Sequence, residues 1–373
     1  MRTPICDRLG IEFPIFAFSH CRDVVAAVTN AGGIGVLGAV AHSPEGLETD
    51  LAWIDEQVGG KSYGVDLLLP VNFVPTEGAG AASGTAPDLL PPEQLAFVDD
   101  ILTRHAVPEI PAGVGTRRGV MSVSPEANAT LLDVALGHDI RLVASALGPP
   151  TPDLIERAHA RDIVVAALVG AKSHAQRQVN AGVDLIVAQG TEAGGHTGQV
   201  STMVLVPEVV RAVAPTPVLA AGGIVTGEQV AAAMALGAQG VWCGSVWLTT
   251  AEAETDPVVK QKFLTATSSD TVRSRSLTGK PARMLRTPWT DEWEAADAPA
   301  TLPMPLQSML VANAQVRIAR DAATAGSGAE QLATYFVGQG VGLMDRIKPA
   351  REVVEEMVAG YVEVAERFAS QVG

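Results

Sequence analysis

Ala188-Gln189-Gly190-Thr191-Glu192-Ala193-Gly194-Gly195-His196 is the stretch whose reading decides the fold. The run that enters it, 185–188, is apolar, rich in β-formers and tightly bounded by turn residues, so it reads as a buried strand. That strand empties into a glycine-rich loop ending in a histidine. Downstream, the run 218–221 empties into Gly222-Gly223-Ile224, and the run 240–243 into Gly244-Ser245. Three consecutive strands thus end in glycine at one edge of a parallel sheet. Glycine there tolerates positive φ and lets backbone N–H groups come close to a ligand. A compact anion such as a phosphate suits that edge, because oriented amides and helix N-termini favour negative charge.

The same alternation extends upstream. Strands are predicted at 13–18, 34–37, 64–69, 140–145 and 163–169, with helices at 22–31, 44–58, 92–105, 125–136, 152–161 and 173–181. Later helices fall near 207–213 and at 227–236. Segment 75–92, rich in Gly, Ala, Ser and Pro, reads as a mobile loop, and 108–123 is ambiguous. Eight strand–helix units in succession favour right-handed parallel connections and a closed (β/α)8 barrel over an open sheet. Beyond Ser245 the text changes: 249–333 carries many charges and prolines, with helical pieces at 256–265 and 306–321. The expected organisation is a barrel over 1–248, an inserted helical lid over 249–337, and a segment 338–373 whose helix, 349–370, returns as the last of the barrel. An insertion at that point sits over the mouth, where barrel active sites lie.

Composition narrows the partners. Of 373 residues, 47% are hydrophobic and 18% charged, which supports a large core. The net charge of −15 argues against nucleic acid and against an anionic membrane. Cys6, Cys21 and Cys243 are far apart and form no CxxC pair, so neither a disulfide framework nor a zinc site is expected. The first residues lack the apolar core of a signal peptide, and no run reaches the roughly 18 apolar residues of a membrane span. A cytoplasmic protein acting on a small molecule is expected. Its oligomeric state is left open, a homodimer being compatible.

Gly33-Ile34-Gly35-Val36-Leu37-Gly38 matches a dinucleotide fingerprint in spelling but not in context, because it follows a helix and contains a strand. There is no G-x-S-x-G elbow. His196, in a loop at the expected mouth with Glu192 close in sequence, is the candidate general base. His20, ending the first strand, is the reserve. His42, His105, His138, His159 and His174 read as helix-end or surface residues.

Gln189 to His196, Ala220-Ala221-Gly222-Gly223-Ile224, and Gly237 to Ser245 together resemble the signature of the nitronate monooxygenase family, formerly called 2-nitropropane dioxygenase. The likeness runs in order along nearly the whole chain. It implies a TIM barrel with a helical lid and a bound FMN. It further implies that Gln189 and Gly194, with Gly195 beside them, touch the flavin or its tail. Gly222, Gly223, Gly244 and Ser245 would hold the phosphate, Trp242 and Cys243 would line the same strand end, and His196 would take a proton from the substrate carbon. The implied reaction oxidises an alkyl nitronate with O2 to a carbonyl compound and nitrite. The alternative on the same barrel is an NAD(P)H-dependent quinone or enoyl-thioester reductase. A flavin- or phosphate-binding module without turnover is the non-enzymatic alternative, and the histidine at the mouth speaks against it. Two departures stand out. Asp66 occupies a cofactor-contact position where the family commonly has Asn, and an ionised Asp accepts but does not donate. Phe16-Ala17-Phe18-Ser19-His20-Cys21-Arg22 puts bulky and basic groups where a small turn is usual.

Overall fold

The computed structural model describes residues 1–68, 90–110 and 125–372. Most of the expected mobile loop, 75–92, and of the ambiguous segment, 108–123, lies outside the described residues.

The strands are β1 (Ile15–Ser19), β2 (Ile34–Gly38), β3 (Gly64–Leu68), β4 (Leu142–Ala146), β5 (Val164–Val169), β6 (Leu185–Gln189), β7 (Gly195–His196), β8 (Val218–Ala221), β9 (Gly240–Cys243), β10 (Thr271–Ser274) and β11 (Ala282–Leu285). All but β7, β10 and β11 form a closed parallel barrel in the order β1-β2-β3-β4-β5-β6-β8-β9. The ring shuts where Ile15 of β1 meets Val241 of β9. The helices are α1 (Pro4–Leu9), α2 (Arg22–Asn30), α3 (Pro44–Val58), α4 (Pro92–Arg104), α5 (Pro125–Ala135), α6 (Pro152–His159), α7 (Lys172–Asn180), α8 (Thr202–Val213), α9 (Gly227–Ala235), α10 (Pro257–Thr265), α11 (Pro288–Trp293), α12 (Leu306–Asp321), α13 (Gly328–Leu332) and α14 (Ala350–Val372). Local chemistry sets several starts. The Ser43 hydroxyl accepts from Gly46 N and that of Thr151 from Leu154 N, each followed by a proline at the first helical position.

Strand alternation divides the core in two. Phe16, Ile34, Val36, Leu142, Leu185, Val187 and Leu219 fill the barrel, while Ile15, Val65, Val165 and Ile186 pack outward on the helices. Ile5, Cys6 and Leu9 of α1 join the inner cluster and close one end of the barrel. This helix went unpredicted because six residues carry too little periodicity to register. At the other end of the chain, α14 packs on α9 and α2.

Two expectations need correction. The helix expected near 207–213 starts at Thr202, with Pro207 inside it, because the Glu192 carboxylate accepts from Thr202 N at 2.9 Å and caps the helix start. The segment after β9 is not wholly helical either. Its β10 and β11 form an antiparallel hairpin, and β11 pairs onward with β7, where Ala282 stands opposite His196. Among the described residues, no helix is long and apolar enough to cross a membrane.

Candidate active site

The C-terminal ends of the barrel strands open into a cavity of about 1050 Å³. Asp66, Gln189, Gly194, Gly195, His196, Gly222, Gly223, Trp242, Cys243, Gly244 and Ser245 all line it, so every position nominated from the sequence converges on one space.

The β8 and β9 ends form a cradle of main chain. Gly222 and Gly223 have φ of +115° and +73°, and a Cβ on Gly222 would stand 2.7 Å from Thr202 Oγ1. Gln229 holds this turn from behind: its Nε2 donates to Gly223 O, while its Oε1 accepts from Val225 N and Thr226 N. The N–H groups of Gly223, Gly244 and Ser245 find no acceptor among the described residues. Ser245 Oγ accepts from Gly338 N at 2.8 Å and keeps its own proton to donate. Three free amides and a hydroxyl make a donor set suited to a phosphate.

Trp242 points into the barrel, stacked near Phe18 with ring centroids 6.4 Å apart. Cys243 alternates outward into the strand–helix layer, so its share of the cavity is main chain. Burial pushes its thiol up to about 12, which keeps it protonated and unreactive.

His196 lies on β7, under the hairpin rather than in a free loop. Its Nε2 is 2.9 Å from Thr278 Oγ1 in the hairpin turn. Glu192, its neighbour in sequence, is spent on α8 and is not its partner. Burial, with the nearby Lys280 charge, lowers the imidazole to about 4, so the ring is neutral at physiological pH and keeps one nitrogen lone pair free. His20 also lines the cavity, its Nδ1 3.0 Å from Gly38 O, and burial lowers its affinity for a proton.

Asp66 sits deep on β3, and burial alone pushes its carboxyl up to about 7. It therefore exchanges between acceptor and donor forms near neutrality, a possibility the sequence comparison with Asn had set aside.

Sequence reasoning missed the lid's share of the wall. Thr278, Lys280, Tyr335 and Phe336 line the cavity, as do Gln315 and Ile318 of α12. Lys280 is half-buried and makes no ion pair among the described residues. The only signal for that hairpin was its turn, Thr278-Gly279-Lys280-Pro281, because the flanking β10 and β11 are short and mixed in polarity. His174 is exposed, as expected, and also lines the cavity, with Arg177 one turn along α7. Cys21, Asp23 and Glu254 bring potential ligand atoms within 4.8 Å of one another. Burial raises the Cys21 thiol and its Sγ turns to Glu252 O, which disfavours the thiolate a metal would need.

Comparison with known proteins agrees with this geometry. The family model described as nitronate monooxygenase matches residues 2–360. A Mycobacterium tuberculosis protein with a provisional monooxygenase designation is 63% identical over 364 residues, 97% of either chain. FabK from Thermotoga maritima superposes with a TM-score of 0.74 at 29% identity, over 100% of this chain and 99% of its own. A nitroalkane oxidase from Streptomyces ansochromogenes has a TM-score of 0.79 at 24% identity, over 98% of this chain and 99% of its own, which attests the shared barrel. With the closed barrel, the glycine cradle and a family match along almost its whole length, the chain belongs to the nitronate monooxygenase family of flavin-dependent oxidoreductases.

Proposed function

We propose that the protein is an FMN-dependent nitronate monooxygenase, oxidising alkyl nitronates with O2 to carbonyl compounds and nitrite. The observation that carries the reading is the convergence, in one cavity, of the amide cradle at Gly223, Gly244 and Ser245 with the desolvated imidazole of His196. The residues present fit FMN: the cradle would take its phosphate, and the buried Asp66 Oδ2, without a partner among the described residues, offers a polar contact to its ring. The flavin, when bound, supplies the electron transfer between substrate and oxygen.

The chain's own residues do the rest. His196 removes the α-proton when the substrate arrives as a neutral nitroalkane. Lys280 balances the negative charge of a nitronate. Residues 249–337 act as the lid that excludes water, and 338–373 return the chain to the barrel. Phe336, its ring centroid 6.2 Å from that of His196, and Tyr335 wall the site from above.

A second reading, reduction of a quinone or enoyl thioester by NAD(P)H, draws on the cavity's size and on the full-length likeness to FabK. One experiment separates the two. Under anaerobic conditions the purified holoprotein is mixed with an alkyl nitronate, and separately with NADH or NADPH. Loss of the yellow absorbance with nitronate alone supports the first reading. Rapid loss with nicotinamide alone moves the protein to the reductases, and no flavin uptake at all removes both.

A further inference from the structure

Asp66 alternates inward on β3, opposite in direction to Val65 and Leu67, and only 5% of the residue is accessible. Its main-chain oxygen is spent on Ala39 N, but its side-chain Oδ2 has no hydrogen-bond partner among the described residues. The strands that pair with β3 place only Gly38 and Ala144 beside it. Behind β3, α5 sends Asp133 outward to Arg157. The charged and titratable groups that share its cavity are His20 at the end of β1, His174 and Arg177 on α7, His196 on β7, Cys243 at the end of β9, Lys280 in the hairpin turn, Tyr335 of the lid, and Cys21, Glu254 and Asp256 near the rim. None contributes to its ionisation, which burial alone displaces upward.

A buried carboxylate with an empty oxygen is costly, and a neutral acid there has one proton to give. In the closed strand order β3 lies four strands from β8, so Asp66 faces the glycine cradle across the barrel mouth. A ligand anchored by its phosphate at β8 and β9 and reaching across the mouth would bring its far end toward β3.

We propose that Asp66 enters the FMN complex as a neutral carboxylic acid, donating its proton to an acceptor of the isoalloxazine ring, so that cofactor uptake is coupled to one proton. This rests on the reading of the cavity as an FMN site. The balance is simple: apoprotein with ionised Asp66, FMN and one proton give the complex with protonated Asp66. When Asp66 is already protonated in the apoprotein, no proton is taken up. No bond other than the O–H is made or broken.

The test titrates apoprotein with FMN, following quenching of flavin fluorescence from about pH 6 to 9, for wild type, Asp66→Asn and His20→Gln. Wild-type Kd is expected to be level at the acid end and then to rise toward about tenfold per pH unit above the carboxyl's own titration. Asp66→Asn, which keeps a donor that does not titrate, should bind with a flatter profile, and His20→Gln should follow wild type. The second ionisation of the FMN phosphate, near about 6, acts in all three proteins and cancels in the comparison. Calorimetry in two buffers of different ionisation enthalpy counts the proton directly in wild type, which guards against a variant that fails to fold. About one proton taken up at pH ~8.5 supports the proposal. Zero uptake at that pH, or identical profiles for wild type and Asp66→Asn, overturns it while leaving the FMN site intact. No FMN binding at any pH overturns the cofactor reading and this inference with it.

Discussion

His196 Nε2 lies 2.9 Å from Thr278 Oγ1, a contact that joins the loop after β6 to the turn of the lid hairpin. The Thr278 hydroxyl donates to Lys280 O at 3.2 Å. With that proton spent, Nε2 is the donor in the contact and carries the hydrogen, which leaves the Nδ1 lone pair to accept a proton. The hairpin thus selects the tautomer in which Nδ1 is the unprotonated nitrogen.

For His196→Asn, turnover of a neutral nitroalkane is expected to fall about 10²- to 10⁴-fold, the range of a lost general base. Turnover of a preformed nitronate, which has no proton left to remove, should fall far less, and flavin content should hold. Since the imidazole sits at about 4, the wild-type rate with nitroalkane should be level through neutrality and decline only as pH drops toward that value. Equal losses with both substrates, or an acid limb centred near the ordinary histidine value of 6.5, would make His196 a positioning residue.

Lys280 lowers the pKa of His196 through its positive charge. Removing that charge in Lys280→Met should therefore move the acid limb of the nitroalkane profile upward. The same variant loses a charged contact to an anionic substrate, worth about 1.5–3 kcal/mol, so KM for nitronate should rise at least about tenfold. KM for neutral nitroalkane should change little. Steady-state kinetics on the two forms of one substrate checks both expectations, and an unaltered nitronate KM would count against this role for the lysine.

The barrel was legible because its strands are short apolar runs closed by glycine, and the cradle was legible because three such closures fall in a row. The lid hairpin was not. Its strands are four residues each, too short for a period-2 pattern to register, and β10 offers Val272 as its one apolar side chain. Thr278 lies 82 positions from His196, a distance at which no spacing rule operates. Glu192 misled for the opposite reason: near in sequence, it is drawn to the start of α8 by the unpaired amide and hydroxyl of Thr202. Asp66 could be named as a departure from the family, but its ionisation depends on burial, which only the closed barrel reveals.

Gly223 offers a test of the cradle that does not depend on turnover. A side chain there is strained by its φ of +73°, and a Cβ would stand 3.2 Å from Glu192 Cβ, close but not through the backbone. Gly223→Asp adds a carboxylate beside the proposed phosphate site, at a backbone cost of about 1–3 kcal/mol. The purified variant should be folded by circular dichroism yet colourless, and FMN affinity should be at least about 10²-fold weaker through like-charge repulsion. A variant that stays fully yellow would move the phosphate elsewhere in the cavity.

Arg283 ties the hairpin to the barrel. Its Nε donates to Thr191 O at 2.9 Å and its Nη1 to Thr271 Oγ1 at 3.1 Å, so one buried guanidinium holds the loop after β6 against β10. Burial lowers its pKa, yet as an arginine it stays charged, and two directed donors compensate the desolvation. Arg283→Met keeps the stem but leaves Thr191 O without this donor, at a cost of about 1–3 kcal/mol borne mainly by hairpin docking. Arg283→Lys should rescue only in part, because a single ammonium lacks the fork that spans both acceptors. Trypsin has a site at Arg275 at the start of the turn, Lys280 being blocked by Pro281, and cleavage at Arg275 should accelerate in Arg283→Met before global unfolding begins. A higher nitroalkane KM should accompany it, since His196 pairs through β7 with the same strand. Cleavage at the wild-type rate would mean that the β7–β11 ladder alone holds the hairpin down.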